Sequence, residues 1–285
     1  MPEQVRVGDI RIQRIVETEE PFLPISQMFP RARAEAIARH RSWLEPWALC
    51  PDSGRVILPV QGYLIETSHH TILIDSCVGN HKSNRFFEPW HNRQSNVWLE
   101  RLAAAGARPD DIDFVLCTHL HLDHSGWNTQ LVNGRWLPTF PNARYLFARE
   151  EFNHRQGLDD STFIENVLPV MEAGQGVIVA MDHALDDEVW LEPTPGHTPG
   201  HVSIHLTSRG QRAVMMGDIM HSPVQCAEPE WHCISDGDPD LACVTRRRFL
   251  QQHAETDTLI LTAHFPSPSV GHVVSKNDNF QFDFR

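Results

Sequence analysis

Between Thr118 and Gly126 the chain reads Thr118-His119-Leu120-His121-Leu122-Asp123-His124-Ser125-Gly126, with three imidazoles and one carboxylate in six consecutive positions. Neutral imidazole and carboxylate are the ligand types that suit Zn²⁺ and similar divalent ions. The apolar run Phe114-Val115-Leu116-Cys117 precedes the cluster and reads as a buried strand. Side chains alternate at a strand end, so His119 and His121 point one way while Asp123 and His124 come round the bend to a neighbouring point. Such a cluster can supply two metals but complete neither. A polar loop holding histidines by coincidence is a poor alternative, because four ligand types after a buried strand are rarely coincidental.

Three downstream residues can supply the missing donors. His197 lies in Pro195-Gly196-His197-Thr198-Pro199-Gly200-His201, ahead of the alternating strand Val202 to Leu206. Asp218 follows Ala213-Val214-Met215-Met216-Gly217, and His264 follows Leu259-Ile260-Leu261-Thr262-Ala263. Taken singly, each is a structural histidine or a turn aspartate. Their order and their placement at strand ends reverse that default, because an α/β scaffold gathers its site where strands end.

His-x-His-x-Asp-His, a Gly-His-Thr-Pro-Gly-His loop, Gly-Asp and a late His, in this order, resemble the metallo-β-lactamase superfamily of dinuclear metal hydrolases. The resemblance runs from about Val56 to His264 and includes Leu73-Ile74-Asp75-Ser76 as the early strand ending in Asp. It implies an α+β fold, the αβ/βα four-layer sandwich. It assigns His119, His121 and His197 to one metal, Asp123, His124 and His264 to the other, and Asp218 to the bridge between them. Two divalent ions follow, Zn²⁺ first, with Mn²⁺, Fe²⁺ or Co²⁺ as alternatives. The branch most resembled is that of quorum-quenching lactonases and organophosphate (methyl parathion) hydrolases.

The rest of the chain must position these groups. Val5 to Val16 alternates around Gly8-Asp9 as a hairpin or bent strand, and Ser26 to Leu44 reads as helix or helix-loop. Val56 to Glu66 and Thr71 to Ser76 form a second hairpin, and Asn96 to Gly106 is a helix. Trp127 to Leu137 turns at Asn133-Gly134. A strand at Ala143 to Phe147, a helix from Arg149 and an apolar-polar stretch from Phe163 to Glu172 follow. Strands then recur around Val177 to Ala180, Glu188 to Leu191, Val202 to Leu206 and Ala213 to Met216, before a helix from Pro239 to Ala254.

With 285 residues and no linker or repeat, residues 1–285 read as a single domain, residues 1–55 forming an N-terminal hairpin and a helical lid or dimerisation segment. A formal net charge of −13 argues against a nucleic-acid partner. No run of ~18 apolar residues and no signal-peptide core is visible, so no membrane span is expected and the location expected is cytoplasmic. The six cysteines form no Cys-x-x-Cys pair and read as reduced thiols. Expected partners are a small-molecule substrate and, through Met28, Phe29, Trp43, Leu44, Trp47 and nearby arginines, a homodimer mate.

His201 and His205 read as supporting residues, Asp75 as the carboxylate behind a ligand histidine, and His69, His70, His81 and His91 as solvated. Met28, Phe86, Phe87, Trp90, Trp98, Trp127 and Trp136 are core or pocket, with the 84–91 loop favoured for the pocket. Lactonases of the superfamily place a tyrosine about where His221 stands, and the two tyrosines here, Tyr63 and Tyr145, lie elsewhere. His221 either donates to the substrate oxygen in its place or is a plain loop histidine. The expected catalytic residues are Asp123, Asp218 and His221. The expected chemistry is hydrolysis of a lactone, ester or phosphotriester by a hydroxide shared between two metals. Glyoxalase II-like thioesterase and β-lactam hydrolase are the alternatives. The acidic, aromatic segment from Asn277 to Arg285 argues against a glutathione site, and the intact ligand set against a non-catalytic metal-binding protein.

Overall fold

The computed structural model describes residues 4–158 and 160–285. Strands β1 (Gln4–Val7), β2 (Ile10–Pro24), β3 (Arg55–Glu66), β4 (Thr71–Ile74) and β5 (Phe114–Leu116) lie in one sheet. β6 (Thr129–Val132) and β7 (Arg135–Pro138) pair separately across Asn133-Gly134. With β8 (Arg144–Ala148) and β9 (Gly176–Val179), the order in the first sheet is β1-β2-β3-β4-β5-β8-β9. The second sheet runs in sequence through β10 (Val189–Pro193), β11 (Val202–Ser208), β12 (Gln211–Met215), β13 (Leu259–Leu261), β14 (Val270–Lys276) and β15 (Asn279–Phe284). The longer helices are α1 (Ala34–Leu44), α2 (Val97–Ala104), α3 (Arg149–Gln156) and α4 (Pro239–His253).

Strand residues face alternate sides, and here the two sides enter different cores. Tyr63 and Ile65, with Ile72 and Ile74, pack against Ala213, Met215, Leu259 and Leu261 of the second sheet. Leu64 and Leu73 point the other way, towards Trp98, Leu102, Phe152 and Val167. Val214 and Ile260 likewise point outward, to Phe249 and Leu250 on α4. Three apolar spaces between four layers are the αβ/βα sandwich. Asp238 caps α4 by accepting from the Leu241 N–H at 3.0 Å, with Pro239 opening the first turn.

β1 and β2 turn at Gly8-Asp9 as expected, but β2 runs on to Pro24. Phe163 to Glu172 is helical, a π turn at Phe163–Val167 leading into an α turn at Leu168–Glu172. The segment from Asn277 to Arg285 supplies the edge strand β15, and neither it nor β14 was expected. All six cysteines are free thiols. Among the described residues no helix is long and apolar enough to cross a membrane. Trp98 and Trp127 stack 5.6 Å apart in the core, and Trp136 lies under the Lys82 ammonium.

The loop after β4 is held against the turn that carries His124. The Gly126 N–H donates to Cys77 O at 2.7 Å and the Trp127 N–H to Ser76 O at 2.9 Å. A Cβ at Gly126 would overlap the Val78 carbonyl. Gly126→Ala should therefore destabilise the fold by about 1–3 kcal/mol or more, as overpacking of a rigid contact does. Urea unfolding checks this, and an unchanged midpoint would contradict the close approach.

Candidate metal centre

Residues 117–121 leave the end of β5, and one helical turn, Leu122–Ser125, brings Asp123 and His124 back towards the strand end. His197 stands in the loop between β10 and β11, Asp218 just beyond β12 and His264 just beyond β13. The side chains converge in two groups, each with its ligand atoms within 4.8 Å of one another. One is His119, His121, His197 and Asp218; the other is Asp123, His124 and His264. Asp218 faces both. Its Oδ2 lies 3.2 Å from His197 Nε2 and 3.7 Å from His119 Nε2. Its Oδ1 lies 3.2 Å from His124 Nε2 and 3.1 Å from His264 Nε2.

His121 Nδ1 is 2.9 Å from both His119 Nε2 and His197 Nε2. Three imidazole nitrogens this close cannot all be satisfied by a shared proton, whereas a cation between them accepts all three lone pairs. In the second group His124 Nε2 and His264 Nε2 stand 3.3 Å apart beside Asp123. The donor set fits a pair of divalent ions, one held by each group.

The outer nitrogens of His119, His124, His197 and His264 are occupied, which turns the inner ones towards the centre. His124 Nδ1 meets Asp75 Oδ2 at 2.8 Å, and His197 Nδ1 meets Asp236 Oδ1 at 2.8 Å. His264 Nδ1 donates to Pro59 O at 2.7 Å, and His119 Nδ1 pairs with Thr118 Oγ1 at 3.1 Å. Asp75 also accepts from the Thr118 N–H and O–H, fixing the start of the ligand loop. His201 is not among the ligands. Its Nε2 accepts the Asp218 N–H at 2.9 Å, close beside Gly217, whose left-handed φ of 56° suits glycine. His205 pairs with Glu192, away from the ligand groups.

Burial lowers the pKa of His119 and His121 well below the usual histidine value, and the other imidazoles add to this. Both are neutral and ready to ligate. At His124 burial works against the imidazolium, but Asp218, Asp123 and Asp75 outweigh it and raise the pKa well above normal. An ion entering there must displace a proton. Burial alone would raise Asp218, yet His124, His264, His221 and His197 hold it well below the carboxylate range. Burial alone would raise Asp236, but the His197 hydrogen bond together with the charges of His197, His221 and Arg246 pulls it down to about 2. Burial and His197 push His201 down to about 3, which leaves its Nε2 free to accept.

Three supporting residues carried no legible sequence pattern. Glu151 on α3 accepts the Leu120 N–H at 3.0 Å and the Gly200 N–H at 3.3 Å, clamping the two histidine loops together. Asp236 lies in an ordinary polar loop. Arg246, fully buried on α4, donates to Ile219 O at 2.8 Å and to Pro229 O at 2.9 Å, and its Nη2 lies 3.3 Å from Asp236 Oδ2. It links the stretch after Asp218 to the carboxylate behind His197.

A cavity of about 410 Å³ opens over the centre. His121, Asp123, Asp218, His221 and His264 line it beside Phe22, Met28, Leu58, Phe86, Trp90 and Ile234. The 84–91 loop thus contributes to the pocket through Asn84, Phe86 and Trp90, and the 26–47 segment through Met28. His221 is buried, with Nε2 3.1 Å from Asp218 Oδ2 and its ring parallel to that of His264 at 5.5 Å. It faces the cavity rather than solvent.

Residues 56–264 match the family model of the metallo-beta-lactamase superfamily. The chain belongs to that superfamily. It is 29% identical over 170 residues to the N-acyl homoserine lactonase AiiA of Bacillus thuringiensis subsp. kurstaki, covering 56% of this chain and 62% of that relative. The match thus spans less than two thirds of the relative's length. Over 84 residues it is 34% identical to the N-acyl homoserine lactonase AiiB of Agrobacterium fabrum, covering 26% of this chain and 30% of that one. Among solved structures, the hydrolase AbOPH of the beta lactamase superfamily superposes with a TM-score of 0.83 at 24% identity, covering 100% of this chain and 97% of that one. AidC, a dizinc quorum-quenching lactonase in complex with an N-acyl-L-homoserine product, superposes at 0.81 with 20% identity and the same coverage. At such identities these likenesses establish the fold.

The carboxylates behind the ligands give separate handles on the two groups. Asp75→Asn should weaken the ion at His124 and His264, and Asp236→Asn the ion at His197, each by ~10–100-fold. Competition with a chromophoric chelator measures both affinities. Equal loss at both positions, or none, would contradict the pairing.

Proposed function

We propose that the chain is a dinuclear metal-dependent hydrolase of small esters, with lactones first among them. The observation that carries this is Asp218, with one carboxylate oxygen facing each ligand group. His119, His121 and His197 would hold one ion and Asp123, His124 and His264 the other, Zn²⁺ being the ion that neutral imidazole suits best. Two ions so held would share a water, lower its pKa from ~15.7 towards neutrality and polarise the substrate oxygen.

The remaining work belongs to side chains. Asp218 sets the spacing of the two groups. Asp123, with Oδ2 3.6 Å from His264 Nε2 and part of its side chain open to the cavity, orients the attacking water and takes its proton. His221 is positioned to donate to the substrate oxygen or the leaving group. Burial opposes a proton on it, but Cys233 and Asp218 outweigh burial and raise its pKa well above normal, which suits a donor. The apolar wall of Phe22, Met28, Phe86 and Trp90 excludes water and accepts a hydrocarbon arm. Among the lining residues Arg155 is the one arginine or lysine, which favours an uncharged substrate over a glutathione thioester. For residues 26–47 a wall of the pocket is the better-supported role, since Met28 lines it. A homodimer through the half-exposed Trp43 stays a second proposal.

The Zn²⁺- and Mn²⁺-loaded protein should hydrolyse γ-lactones with higher kcat/KM than aryl esters, phosphotriesters or β-lactams. His221→Ala should retain its metals and lose ~10²–10³-fold in kcat, as for other oriented donors. Turnover of phosphotriesters alone, undiminished by His221→Ala, would reject both the lactone preference and the donor.

A further inference from the structure

Lys82 is fully buried at the base of the loop that walls the cavity. Its Nζ donates to Thr129 Oγ1 on β6 at 2.6 Å and, more weakly, to Glu165 O at 3.5 Å. It also lies 3.6 Å above the centre of the Trp136 ring on β7. Among the described residues no carboxylate pairs with it; that of Glu165 accepts the Ser83 N–H at 2.9 Å and the Ser83 O–H at 2.7 Å. An ammonium taken out of water without a counter-ion is costly, and such a group responds by giving up its proton.

Lys82 and Ser83 fasten the loop to the β6–β7 hairpin and to the π turn at Phe163–Val167. Beyond them, Asn84 Oδ1 accepts the N–H groups of Phe86 and Phe87 at 2.9 and 2.7 Å, and Phe87 and Trp90 pack on Phe22. Asn84, Phe86 and Trp90 line the cavity over the metal centre. Phe86 is 63% exposed, so the tip has little packing of its own and this wall depends on its base.

Burial outweighs the Glu165 charge and lowers the Lys82 pKa to about 7, against ~10.4 for the side chain in water. Thr129 and Trp136 are uncharged, and Arg135 lies on the opposite face of β7. On the loop itself Arg85, Glu88 and His91 are exposed, Arg93 acts on Glu17, and half-buried His81 is the remaining titratable neighbour. Closing the loop over Lys82 therefore releases a proton between pH 7 and ~10. The closed form gains up to ~tenfold per pH unit as the pH rises through that interval, and the gain is absent below it.

We propose that Lys82 is a positioning residue for the pocket wall at residues 84–91, holding it closed when neutral and releasing it when charged. This role belongs to the shape of the cavity and is independent of the reaction performed there. Trypsin cleavage after the exposed Arg85 of the metal-loaded protein, read by mass spectrometry, reports how often the loop opens. Dividing each rate by that of a free peptide of residues 83–95 removes the protease's own pH dependence. Between about pH 7 and pH 9, above the usual histidine range, the relative rate in the parent should fall by ~10–100-fold.

Lys82→Met, neutral throughout, should be cut slowly and without that slope. Lys82→Arg, charged throughout, should be cut quickly at both ends. Affinity for the neutral fluorescent probe N-phenyl-1-naphthylamine should rise over the same interval in the parent and stay level in both variants. A purely structural lysine predicts a flat relative rate in the parent, which overturns the proposal even if neither variant folds. A Lys82→Met protein that keeps the parent's slope also overturns it. So does a parent whose cleavage slows with pH while its probe binding stays level, because the loop then closes without shaping the cavity.

Discussion

The structure is organised around one buried carboxylate that five imidazoles surround. Asp218 is almost inaccessible to solvent, and His119, His124, His197, His221 and His264 all approach it within 3.7 Å. A charge removed from water costs several kcal/mol unless it is paired and hydrogen-bonded. Its backbone N–H is held by His201, the following residue's carbonyl by Arg246, and the preceding glycine adopts a left-handed turn that lets the approach occur. The outward hydrogen bonds to Asp75, Asp236 and Pro59 then leave His124, His197 and His264 only one direction in which to offer the second nitrogen. The chain builds a concentration of donors that is unfavourable without cations and favourable with them.

Much of this was legible in the sequence because it depends on short-range spacing. His119, His121, Asp123 and His124 follow a buried strand within a few residues. His197, Asp218 and His264 each follow an apolar run or a Gly-Pro loop, and the structure brings all seven together. Asp75 was visible as a strand-end carboxylate. Val56 to Glu66 and Thr71 to Ser76 read as a hairpin, although which face of each strand met which layer emerged only once the sheets were stacked.

What could not be read depends on long-range packing. Asp236 and Arg246 sit in segments whose composition suits any loop and any amphipathic helix, and their partners lie 10 to 39 positions away. Glu151 stands in the first turn of a helix with no motif around it, yet it holds two backbone amides 31 and 49 positions distant. β15 was obscured by Asn277, Asp278 and Asp283, residues poor in strands, while Phe280, Phe282 and Phe284 supply its contacts. The same limit applies to Lys82, whose importance comes from the hairpin and turn that bury it.

The central claim is that one carboxylate joins two metal positions into one centre. Elemental analysis of reconstituted, gel-filtered protein, run beside Asp218→Ala, tests it most directly. The parent should hold two ions per chain and the variant should lose metal from both positions, with activity falling in step. One ion per chain at full activity, or two ions retained by Asp218→Ala with near-normal kcat, would contradict it.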